Sequence, residues 1–151
     1  MNAYMNQYQQ NQVMTASKEQ ILIMLYDGAI RFCQHAINAS EAGNNIEKLS
    51  RISKVFAIIA EFSNSLNHDI GGEIAADLDG LYQFMMRELN LARKDTERSH
   101  LKIVLNLLTD LRQTWYEAIE INKKEIGVLA AKKHEYSPEF QQAVKRLSAA
   151  G

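Results

Sequence analysis

The chain has one cysteine, Cys33, and its nearest imidazole in sequence is two residues away, at His35. A thiol and an imidazole that meet can make an activated nucleophile. Two residues apart on a helix, however, they point in different directions. A core cysteine and a surface histidine describe them better. The other histidines, His68, His100 and His134, fall on different elements and form no short metal-ligand spacing. The chain has no HExxH, no paired CxxC and no phosphate-cradling glycine motif. Glu61 and Glu88 would supply a carboxylate pair if they met in space, but solvated helix charges explain them equally well. These residue types in this pattern argue against an enzyme and call for no metal or cofactor.

A second polar group lies in "MLYDGAIRF", Met24 to Phe32, where Tyr26, Asp27 and Gly28 interrupt an apolar run. Glycine inside a helix costs about 1 kcal/mol relative to alanine. Its expected return is close approach by a neighbouring backbone. Tyr26 flanks the apolar stripe and is either a boundary residue with a wet hydroxyl or a hydrogen-bond partner of another element. Asp27 is either a solvent-facing charge or a partner of a neighbouring helix or terminal arm.

These residues belong to a chain of 151 residues, long enough for one domain with a sizeable core. Apolar residues make up 46% and aromatics 8%, so generic disorder is excluded. Seventeen Lys plus Arg balance eighteen Asp plus Glu, for a formal charge of -1. That balance argues against broad binding to nucleic acid or anionic membrane. One cysteine makes no internal disulfide and fits a reducing compartment. The start, "MNAYMNQYQQNQ", lacks the basic and apolar regions of a secretory signal. No apolar stretch reaches membrane-spanning length, so membrane insertion is not expected and the cytoplasm is the expected location.

Hydrophobic spacing predicts four long helices. Ser17 and Gln20 form a capping-box pattern ahead of Ile21, Leu25, Ala29, Phe32 and Ala36, with Leu22 and Cys33 widening the stripe. Gly43, Asn44 and Asn45 stop that helix. A second is expected from about Ile46 to Leu66, with a main stripe of Leu49, Ile52, Phe56, Ile59, Ser63 and Leu66. "NHDIGG", Asn67 to Gly72, breaks the chain. The third carries Ile74, Leu78, Leu81, Met85, Leu89 and Ala92. "KDTE", Lys94 to Glu97, separates it from the fourth, which carries Leu101, Leu105, Leu108, Trp115 and Ile119, with Val104 and Leu111 beside them. Each helix would span about 30 to 36 Å, and short breaks make neighbours antiparallel. The expected fold is all-α: an antiparallel up-down four-helix bundle over 17–121, an N-terminal arm over 1–16 and a C-terminal extension over 122–151. In the extension, Ser137 and Pro138 suit a helix start, and Phe140, Val144 and Leu147 would line a short additional helix. Docking on the bundle, covering another site and sampling solution all remain open for it.

Two helices carry more apolar residues than one face needs. Val55, Ile58 and Phe62 widen the second helix, and Ile103, Leu107 and Ile121 make a second stripe on the fourth. Such surplus means either a thicker core or an external groove that takes an amphipathic helix.

Three runs carry a family resemblance. "TASKEQILIMLYDGAIRF", Thr15 to Phe32, "GGEIAADLDGLYQFMMREL", Gly71 to Leu89, and "LLTDLRQTWYEA", Leu107 to Ala118, resemble, in this order, the signatures of the FliS family of bacterial flagellar secretion chaperones. The resemblance implies an antiparallel helical bundle that binds the disordered C-terminal segment of newly made flagellin, blocks premature polymerisation and supports type III export. It implies as partners the flagellin C-terminal segment, with the flagellar export gate or other flagellar regulators as further possibilities. It also implies an N-terminal arm, here bearing Tyr4 and Tyr8, that covers part of the client site. Tyr26, Asp27 and Gly28 carry over as recognition or packing residues. For the client groove, the expected residues are Ile52, Val55, Ile58, Phe62, Ile103 and Leu107. A structural or regulatory adaptor for another amphipathic peptide is the alternative. Oligomeric state is left open, and residues 122–151 lie largely outside the signatures.

Overall fold

A computed structural model describes residues 17–121 of the chain. Four helices follow one another: α1 (Lys18–Glu41), α2 (Asn45–Ser65), α3 (His68–Lys94) and α4 (Ser99–Ile121). No strand occurs among the described residues. Short turns make successive helices antiparallel. α1 packs on α2 and α4, and α3 packs on α2 and α4, which closes an up-down bundle. The arm with Tyr4 and Tyr8 and the extension, with the additional helix expected there, lie outside the described residues.

Local chemistry sets the helix ends. The Ser17 hydroxyl accepts from the Gln20 backbone N–H at 3.2 Å, and the Gln20 side chain accepts from the Ser17 N–H at 2.9 Å. The capping box read from sequence is therefore formed in full. Gly43 follows α1 with φ 73°, a left-handed conformation that favours glycine. Asn44 then caps α2 by accepting from the Glu47 N–H at 3.2 Å. Asn67 caps α3 by accepting from the Ile70 N–H. The expected break at 67–72 is shorter than the whole segment: one helical turn forms first, and Gly72, at φ 50° and ψ -121°, kinks the chain inside α3.

One apolar core runs through the bundle. α1 contributes Leu25, Ala29, Phe32, Cys33 and Ala36; α2 contributes Ile52, Val55, Ile58, Ile59 and Phe62. α3 adds Tyr82, Met85, Leu89 and Ala92, and α4 adds Leu101, Val104, Leu108, Trp115 and Ile119. Mutual burial of these faces stabilises helices that would be marginal alone. Ile74, expected in the α3 stripe, is 58% exposed; the stripe is led by Ala75 and Tyr82 instead. At the far end, Lys48 lies buried on α2, and its ammonium donates to the Asp95 carbonyl in the α3–α4 turn.

Candidate functional site

Tyr26 lies at the centre of the polar atoms inside the core. The donor-only indole N–H of Trp115 on α4 donates to the Tyr26 hydroxyl oxygen at 3.1 Å. The Tyr26 and Tyr82 hydroxyls share a hydrogen bond of 2.8 Å, which ties α1 to α3. The Tyr26 ring stacks on Phe62 of α2 with centroids 4.4 Å apart, and Phe62 in turn lies 5.5 Å from the Tyr82 ring. One residue therefore touches all three other helices. Burial is the main reason that the Tyr82 phenol is pushed up to about 12, so it stays a neutral hydrogen-bonding group. Packing and specification of the bundle describe this network.

Asp27 is exposed and accepts from Arg112 on α4 at 2.9 Å. The Arg112 guanidinium also lies over the Tyr116 ring, 5.3 Å from its centroid. Of the two readings of Asp27, the neighbouring-helix partner holds. Gly28 is buried and faces α2, but a Cβ there would meet Ile58 Cδ1 at 3.9 Å, an ordinary contact. Among the described residues no backbone approaches closely enough to demand glycine, which corrects the expectation drawn from sequence.

Cys33 is fully buried, and its S–H donates to the Leu101 carbonyl at 3.3 Å. Burial pushes its thiol up to about 12, so it behaves as a small core side chain. His35 is half-buried at the α1–α2 edge, against the Phe32 ring. Its pKa lies below the usual histidine value because of partial desolvation first and the Arg51 and Arg31 charges second. His100 is no free surface histidine. Its Nδ1 meets Glu88, and its Nε2 lies 3.2 Å from Asp95, so it clamps the α3–α4 turn. Among the described residues no group of three or more His, Cys, Asp or Glu side chains is arranged to hold a metal ion.

The six residues expected to line a groove divide into two sets. Ile52, Val55, Ile58 and Phe62 have 0 to 2% of their surface exposed. They are core, not groove, and the groove expectation is corrected for all four. The apparent surplus on α2 is the face that meets both α1 and α3, whereas Leu49, Phe56 and Ser63 of the expected main stripe are only half-buried. Ile103 is 40% exposed and Leu107 is half-buried, so the α4 stripe does reach the surface.

The Glu88–His100 contact sets what faces that stripe. His100, Ile103, Leu107 and Leu111 follow at helical spacing along one flank of α4. Glu88, Phe84, Leu81 and Ile74 follow along the facing flank of antiparallel α3. With both helices rising 1.5 Å per residue, Ile103 comes level with Phe84 and Leu107 with Leu81 to within about a turn. Phe84, Leu81, Leu107 and Leu111 are half-buried, and Ile74 and Ile103 are exposed. The result is a mainly apolar seam along the flank shared by α3 and α4, interrupted on α3 by exposed Asp77 between Leu81 and Ile74. By contrast, the α1–α2 edge carries Arg31, Arg51 and Lys54 around the Phe32 ring. Phe84 was absent from the sequence-derived stripe; its spacing from Leu81 and Glu88 was the available signal.

A four-helix bundle with a polar-pinned core and, among the described residues, an apolar seam between α3 and α4 defines a class of protein: an all-α up-down helical bundle with apolar side chains at its surface. Comparison with known proteins narrows that class. Residues 1–122 match the family model described as Flagellar protein FliS. The chain is 32% identical over 116 residues to the flagellar secretion chaperone FliS of Campylobacter jejuni, covering 77% of this chain and 91% of that protein. It is 33% identical over 118 residues to the protein of the same name from Bacillus subtilis, covering 78% and 87%. The Salmonella typhimurium protein is 32% identical over 116 residues, covering 76% and 86%. The chain belongs to the FliS family.

Proposed function

We propose that this protein is a cytosolic flagellar secretion chaperone that binds the disordered C-terminal segment of flagellin and keeps it from polymerising until export. Family membership carries this reading. The α3–α4 seam supplies its physical basis. A disordered client that becomes helical loses conformational entropy and must recover it through burial and helix hydrogen bonds. A rigid bundle with apolar side chains already half out of water adds little ordering cost of its own. Ile103 and Leu107, with Leu81, Phe84 and Leu111 beside them, form the client surface. Occupation of the flagellin terminus competes with filament contacts, and no bond is made or broken. The N-terminal arm, through Tyr4 and Tyr8, covers part of that surface until the client arrives. Delivery to the export gate or to other flagellar regulators would follow from the same complex.

A titration against purified flagellin, intact and lacking its C-terminal segment, tests the reading. Helical signal should rise on binding, and truncation should remove most of the affinity. Equal affinity for both forms would overturn it in favour of an adaptor for another peptide. Deleting residues 2–16 should strengthen or speed client binding; unchanged affinity and kinetics would reject the arm's role.

A further inference from the structure

The seam between α3 and α4 is bare of any other described element, and the chain contains a segment suited to it. The family match ends at residue 122, so residues 123–151 lie outside the matched part of the chain. Within them Phe140, Val144 and Leu147 recur at the spacing of one helix face, after Ser137 and Pro138. We propose that this C-terminal segment lays its Phe140–Val144–Leu147 stripe onto the α3–α4 seam of its own bundle at Ile103 and Leu107 when no other partner is present, leaving the rest of the client surface to the N-terminal arm.

Geometry, charge and apolar match agree on this occupant. The segment leaves α4 at Ile121, which is 85% exposed and ends the helix that forms one wall of the seam. Residues 122–137 make a 16-residue connection; extended, they reach about 50 Å. α4 has 23 residues, and its length is about 35 Å, so the stripe reaches any level of the seam, including Ile103 and Leu107. α3 carries five acidic and three basic side chains, and α4 three acidic and two basic. Residues 122–151 carry three acidic and six basic ones. Asp77 lies within the α3 flank and Asp110 borders the α4 one, both exposed, while the basic residues of the segment lie along its connection and on the side of its helix away from the stripe. The segment and the two helices therefore attract in net charge as well as in apolar content, and a tether raises the local concentration of the stripe to roughly the millimolar range. A weak contact is then enough to cover the seam, yet it yields to a longer partner.

Docking in cis stands without the client; its effect on the client rests on the chaperone reading above. The test uses the full chain with Ile103→Cys and Val144→Cys, oxidised by copper phenanthroline at low protein concentration, against a control pair of Ala57→Cys and Val144→Cys. Ala57 is exposed on α2, away from the seam, and buried Cys33 stays out of the reaction. The intramolecular 103–144 disulfide should form at least about tenfold faster than the 57–144 one. Adding Phe140→Asp and Leu147→Asp should abolish the difference. Equal rates for the two pairs would overturn the proposal, as would disulfide-linked dimers as the main product, which would assign the seam to a second copy. Intact flagellin should slow the 103–144 reaction. A fast 103–144 reaction untouched by flagellin would leave cis docking standing and sink the client site instead.

Discussion

The apolar surplus on α2 and the second stripe on α4 look alike in sequence and meet opposite fates. Val55, Ile58 and Phe62 vanish into the core, whereas Ile103 and Leu107 come to the surface. The difference lies in how each helix is turned. α2 presents its broad face between α1 and α3, so residues on both sides of its midline are covered. α4 buries Leu101, Val104 and Leu108 and leaves the flank that begins at His100 at the rim. Excess hydrophobicity is thus a signal of contact area, and tertiary rotation decides whether that contact is internal or offered to a partner.

The largest effect expected from this contrast separates the two faces directly. Phe62→Ala should cost about 3 to 5 kcal/mol in a denaturant titration, since it empties a stacked core site. Ile103→Ala should change stability by no more than about 0.5 kcal/mol and still weaken flagellin binding. A folded Phe62→Ala protein with selective loss of binding, or a large stability loss at Ile103, would break the distinction between core and seam.

The aromatic network sharpens it next. Tyr26→Phe strips the acceptor from Trp115 and the partner from Tyr82, whereas Tyr82→Phe removes the bond between hydroxyls and leaves Trp115 its acceptor on Tyr26. Leaving buried polar groups unsatisfied costs about 1 to 3 kcal/mol, so Tyr26→Phe should unfold at lower denaturant than Tyr82→Phe. Reversed order would place the hub elsewhere. Gly28→Ala should be neutral or stabilising by up to about 1 kcal/mol, because the added methyl only touches Ile58. Marked destabilisation in a thermal melt would restore the close-approach role that the sequence suggests.

The smallest effect is at His35. Its folded pKa lies below the usual value, through desolvation first and then Arg51 and Arg31. The unfolded chain therefore binds this proton at higher pH than the folded one, so stability is full above about 6.5 and declines as pH falls through the window below it. Ring-proton shifts should titrate below the ordinary histidine midpoint, and Arg51→Gln should move the midpoint upward. No movement in that variant would dismiss Arg51 as a cause.

Helix boundaries other than the start of α3, where 67–72 reads as a break but Asn67 caps a helical turn, were legible because caps are local. Ser17 with Gln20, and glycine at 43, act within a few residues of where they stand in the chain. The stripes of α1 and α4 were legible because their period is clean. On α2 the apolar residues span so wide an arc that the centre of the buried face was not legible: Ile52 and Ile59 of the expected stripe are buried together with Val55, Ile58 and Phe62, while Leu49, Phe56 and Ser63 are only half-buried. Tyr82 escaped notice because a phenol is buried only when distant partners satisfy its hydroxyl, and those partners are on α1 and α4 through Tyr26 and Trp115. His100 likewise owes its clamp to Glu88 and Asp95, both brought to it by the α3–α4 turn.

Spacing, caps and breaks by themselves determined four amphipathic helices, their order and their antiparallel closure, because 3.6-residue periodicity and turn chemistry depend only on near neighbours. Only the tertiary structure decided which apolar flank was sealed and which was left open. Rotation of a helix about its own axis is set jointly by every helix packed against it, and no single helix's sequence contains that information.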